Sequence, residues 1–138
     1  MNQSTRKARP PGFKTMAILG YIAEGISVVW SAASCFSLAS QGYIFGAGFS
    51  FLSLGLSVVA IVLIFLMAEK KKVCALRAIQ VYLWLTIPYS MFVALVDAFE
   101  TSNELELIGI PMALLIGLPI AIYWQQKSHS EYLKSLSL

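Results

Sequence analysis

Glu24 is the only residue between Lys14 and Glu69 that is charged in water at neutral pH, and it sits inside an apolar run from Thr15 to Leu38. A carboxyl in such surroundings has two uses. It can trade its proton for a cationic ligand, or it can stay neutral and donate a hydrogen bond to a neighbour. No Lys or Arg lies at comparable depth, so an ionised Glu24 would have no counter-charge and the carboxyl is expected to keep its proton. Ser57, Tyr82, Thr86 and Tyr89 carry the hydroxyls that could serve it. With Glu24 they form the candidate intramembrane site for a proton or ligand.

Other chemistries lack their parts. His129 is the single histidine and has no cysteine near it in sequence, so neither a histidine-rich metal site nor a Ser-His-Asp arrangement can be built. Gly46-Ala47-Gly48 is followed by Phe51 where a dinucleotide loop needs glycine. Cys35 and Cys74 fall near opposite ends of a membrane-crossing path and cannot reach one another for a disulfide. Asp97, Glu100, Glu104 and Glu106 have no compact calcium-loop spacing and read as a solvated loop. Asn103 and Glu106 fit a helix cap. The expectation is a chain with no catalytic residues, no metal site and no cofactor, and therefore not an enzyme.

The elements that must position Glu24 follow from composition. Of 138 residues, 58% are hydrophobic and 12% charged, too apolar for a soluble domain of this length. Four runs at 15–38, 43–67, 78–98 and 107–124 are each long enough for a hydrocarbon core of about 30 Å. They predict a single all-α domain over residues 1–138, a four-helix transmembrane bundle. The apolar run around Glu24 is too long for a signal peptide and is interrupted by the acid, so it is expected to remain as a span.

All ten Lys and Arg fall in the tail 1–14, between spans two and three, and in the tail 125–138. By the positive-inside rule both termini are expected in the cytoplasm, as in a bacterial inner membrane. The basic excess is a topology signal, with attraction to anionic lipid heads as a by-product and no nucleic acid partner.

Small and polar residues recur along one face of span one at Gly20, Glu24, Ser27, Ser31 and Ser34. Span two repeats the rhythm at Gly46, Ser50, Ser53, Ser57 and Ala60. Such stripes let membrane helices approach closely. Folding about a turn centred on Ser40 pairs Gly20 with Ala60, Glu24 with Ser57, Ser27 with Ser53, Ser31 with Ser50 and Ser34 with Gly46. A tight antiparallel hairpin of spans one and two is therefore expected. Pro88 and Pro119 should bend spans three and four. Tyr132, Leu133 and Leu136 share one face of a tail expected to fray or to lie on the membrane.

The segment Ala23-Glu24-Gly25-Ile26-Ser27, in the first of four spans, resembles the region around the essential glutamate of the small multidrug resistance transporters. That resemblance implies a shared proton and drug site at Glu24, with Trp84 as an aromatic neighbour. The chain departs from the family in its greater length, its one-sided basic bias and a fourth span without the family's glycine-rich pattern. Two functions follow as expectations. The first is a membrane protein acting by helix association, as an accessory or assembly component with a membrane-protein partner or a second copy. The alternative is a small proton-coupled transporter of a cationic or small-molecule substrate.

Overall fold

The computed structural model describes residues 7–136. The outermost parts of the two tails, Arg6 among them, lie outside the described residues. Five α-helices follow in order: α1 Phe13–Ser40, α2 Ile44–Ala68, α3 Val73–Thr101, α4 Gly109–Gln125 and α5 Lys127–Leu136. A 3₁₀ turn, Glu104–Ile108, leads into α4. The first three helices and the combined 3₁₀–α4 segment are each long and apolar enough to cross a membrane. Only 28% of the most apolar window of α2, and 6% of that of the fourth span, is buried inside the protein. Lipid must solvate the remainder, so this is a membrane-embedded protein.

The chain's punctuation sets the helix ends. Gly12, at φ 75°, admits the left-handed turn that starts α1, where the Met16 N–H donates to the Gly12 carbonyl at 2.7 Å. α1 stops at Ser40, and Gly42, at φ 85°, carries the reversal into α2. Lys71 and Ser102, at φ 55° and 52°, hold the left-handed positions after α2 and α3. Asn103 was expected to cap span four; its Oδ1 accepts from the Leu105 N–H at 3.1 Å and so opens the 3₁₀ turn ahead of α4.

Each spanning helix packs along the next, and the most extensive contact joins α1 to α2. The antiparallel hairpin is present, but its pairing differs from the expected one. Ser27 Oγ lies 2.8 Å from Ser57 Oγ, Gly20 packs on Ile64, and Gly46 packs on Leu38. These pairs centre on Gly42 rather than Ser40. Moving the turn by about two residues slides the partner helix by about four, close to one helical turn. A stripe repeating about once per turn presents the same face in either register, which is why the face was legible and the partners were not.

α3 and α4 approach closely where glycines leave room. A Cβ on Gly117 would stand 2.8 Å from Ile87 Cγ1, and one on Gly109 would stand 3.0 Å from Ala94 Cβ. Gly109 and Gly117 thus act as contact points, while α3 and α4 run on through Pro88 and Pro119. α1 and α4 share no extended interface. They meet at one end, where the Phe13 and Trp124 rings are 5.6 Å apart.

The C-terminal segment corrects an expectation. Rather than fraying, α5 folds back on that same end, with Leu133 and His129 fully buried and Tyr132 nearly so. The described part of the N-terminal tail is tied to it. Lys7 pairs with Glu131 at 2.8 Å, and its backbone N–H donates to Ser135 Oγ at 3.2 Å.

Candidate functional site

The residues proposed around Glu24 separate into two groups. On α1, Glu24 is half-buried and its carboxyl faces the hydroxyls of Ser57 on α2 and Tyr82 on α3. Glu24 thus stands where three helices meet. Ser57, only 3% exposed, also shares its hydroxyl with Ser27. Thr86 lies one turn beyond Tyr82 and donates to the Tyr82 carbonyl at 2.6 Å, holding that turn of α3. These residues form one polar cluster in the middle of the apolar layer.

Tyr89 belongs elsewhere. Its hydroxyl donates to the Phe49 carbonyl at 2.8 Å and lies 3.1 Å from Ser53 Oγ, which itself donates to the Phe49 carbonyl at 2.9 Å. Ser53, expected opposite Ser27, thus serves the α2–α3 contact instead of the α1–α2 seam. The cause is the same slide of register. Ser31, Gly46, Ser50 and Ala60 are buried, whereas Gly20 and Ser34 are half-buried. Trp84 lies on the opposite side of α3 from Tyr82 and Thr86 and is 44% exposed, so it is not a neighbour of Glu24.

The end of the bundle at the α1–α2 turn is acidic, and it is not simply a solvated loop. Glu100 lies inside α3 and reaches across to the start of α2. Its Oε2 accepts from the Gly46 N–H at 2.6 Å and its Oε1 from the Phe45 N–H at 3.2 Å. The first N–H groups of a helix have no partner within it and carry a partial positive charge, so this carboxylate is a side-chain cap delivered from another helix. Asp97 lies beside it, and its Oδ1 is buried without a hydrogen-bond partner. A crevice of about 300 Å³ separates the end of α1 from that of α3, lined by Trp30, Ser34, Ser37, Asp97, Thr101 and Glu106. Among the described residues no three His, Cys, Asp or Glu side chains are grouped to hold a metal ion.

The opposite end is basic and aromatic. His129 stacks on Phe13 at 6.0 Å between ring centroids and lies 4.5 Å from Tyr123 and 5.1 Å from Trp124. Its Nδ1 is 3.3 Å from the Gln126 carbonyl, and its Nε2 has no partner. Burial pushes the imidazole below its ordinary pKa, opposed only by that carbonyl contact. Tyr123 donates to the Pro11 carbonyl at 2.8 Å, and Gln80 donates to the Trp124 carbonyl at 2.9 Å. Sequence reasoning missed this cluster, although its signal was present in Tyr123 and Trp124 at the end of span four and His129 and Tyr132 after it. Cys35 and Cys74 are free thiols.

No family model, curated protein or solved structure matches the chain.

Proposed function

We propose that this is a non-enzymatic multi-pass membrane protein that acts by lateral helix association, as an accessory or assembly component of a membrane complex or as a homo-oligomer. One observation carries the reading. The midmembrane carboxyl of Glu24 is engaged with hydroxyls of α2 and α3, as a helix-pairing group would be. The recesses at the two ends of the bundle are lined by other residues. The splayed ends of α1 and α3 leave hydroxyls and carboxylates facing a lateral crevice, a place where a partner helix could complete the packing.

The basic residues supply the orientation we propose, with both termini in the cytoplasm and, by the loop-poor design, a bacterial inner membrane as host. Lys7, Arg9 and Lys71 gather at the end that holds α5, and Asp97, Glu100 and Glu106 at the other.

A second reading, proton-coupled transport, has one observation in its favour. Thr86, one turn from Tyr82, also lines a cavity of about 310 Å³ between α3 and α4, a space that a ligand could occupy. Glu24→Gln separates the two, because Gln keeps a hydrogen bond and removes the titrating proton. Quantitative mass spectrometry of proteins copurifying from native membranes should give the same profile for wild type and Glu24→Gln, with loss in Glu24→Leu. Loss of cellular function in Glu24→Gln, with the copurification profile, helicity and melting unchanged, would favour transport.

A further inference from the structure

We infer that the basic end holds a defined site for the phosphate head of an anionic phospholipid, between the start of α1 and the end of α2. A cavity of about 200 Å³ there is lined by the cationic side chains of Arg9, Lys14 and Lys71 and floored by Ala17, Ile18 and Tyr21. Arg9 and Lys71 also line an adjoining cavity of about 580 Å³, which makes the two a continuous basic recess. A diffuse positive surface would attract any anionic headgroup. Three features make this recess a site.

Lys71 is pre-positioned. Its backbone is left-handed at φ 55°, its ammonium lies over the Phe13 ring at 5.4 Å from the centroid, and one N–H donates to the Ala68 carbonyl. The remaining N–H groups are left for an anion. Arg9 and Lys14 have no carboxylate within ion-pair distance among the described residues, so their charge is also unanswered. The Tyr21 hydroxyl is buried in the same wall without a hydrogen-bond partner. Phosphate oxygens accept hydrogen bonds and donate none, which suits three cations and an unused O–H. Glu69, which also lines the cavity, is the one opposing charge in its lining.

The floor identifies the source of the phosphate as a lipid. Ala17, Ile18 and Tyr21 belong to the first turns of a spanning helix. Below them Ile18, Ile22 and Ile26 form an exposed apolar strip at one-turn spacing, 47%, 54% and 64% exposed. A head bound at Arg9 and Lys71 would lay its acyl chain along that strip. Free phosphate would gain nothing from it.

Native mass spectrometry of the full chain in maltoside micelles, titrated with dioleoyl phosphatidylglycerol or dioleoyl phosphatidylcholine, tests this. One phosphatidylglycerol should bind at least about tenfold more tightly than phosphatidylcholine. At about fivefold per cation, the pair Arg9→Gln with Lys71→Gly should weaken it about 25-fold, and Lys70→Gln with Lys72→Gln should have little effect. Glycine at position 71 suits the left-handed backbone, so that variant should melt no lower than Arg9→Gln alone. Should it unfold nonetheless, Glu69→Gln decides: tighter phosphatidylglycerol binding is expected, and no change overturns the site. Equal losses in the two double variants, or equal binding of the two lipids, would reduce the recess to general surface charge. Displacement of the lipid by millimolar inorganic phosphate would overturn the assignment to a phospholipid.

Discussion

The two ends of the bundle are built on opposite plans. At the basic end α5 folds back over Phe13 and Trp124, His129 and Leu133 lose all contact with solvent, and four aromatic rings meet edge to face or stacked. At the acidic end α1 and α3 splay around a crevice, Leu105 of the 3₁₀ turn is 71% exposed, and order comes from a single carboxylate reaching from α3 to the start of α2. One end is closed by apolar area and the other is held by a polar strut. The lesson is that a chain of four antiparallel spans need not close as a ring. Here α1 and α4 meet at the basic end and share no extended interface among the described residues, which leaves the acidic end free to receive something else.

The contrast can be broken first at its apolar end. Leu133→Ala should cost about 2–5 kcal/mol in the docking of α5, seen as rapid hydrogen exchange across Lys127–Leu136. Leu105→Ala, at the open end, should leave exchange in α4 unchanged. Gly117→Val should force the Ile87 side chain aside and cost about 1–3 kcal/mol, measured as unfolding from detergent. Glu100→Gln weakens a charged cap and should cost about 0.5–2 kcal/mol, with exchange rising only in the first turn of α2.

The smallest effect is a pH dependence. His129 has a native pKa lowered by burial, so below about 6.5 the undocked form takes up a proton more readily than the docked form. α5 should therefore loosen as pH falls through that value, and His129→Phe should abolish the dependence. The other ionisable groups facing this cluster are Lys71, over Phe13, and the phenols of Tyr123 and Tyr132.

How much of this was legible in the sequence depended on the length scale of the signal. Span positions rest on runs of about 20 apolar residues and were read to within a few residues, although α3 extends past Glu100, which composition had assigned to a loop. The faces that carry Glu24 and Ser57 were also legible, because both belong to periodic stripes. The Ser27–Ser57 and Ser53–Tyr89 pairings were not, because a slide of one helical turn leaves a stripe looking the same. Glu100 capping α2 was beyond reach for a different reason. Its partners are backbone N–H groups 54 and 55 residues away, and no side-chain pattern announces them. The α5 dock failed for a third reason, since ten mostly polar residues carry too little apolar area to predict where they bury it.

The central claim is that Glu24 joins α1 to α2 and α3 through hydrogen bonds, and the most direct measurement is the unfolding free energy of Glu24→Gln and Glu24→Leu in one micelle system. The account predicts that Gln stays within about 1 kcal/mol of wild type while Leu, which removes the polar group facing Ser57 and Tyr82, falls by about 1–3 kcal/mol. A Leu variant as stable as wild type would contradict it.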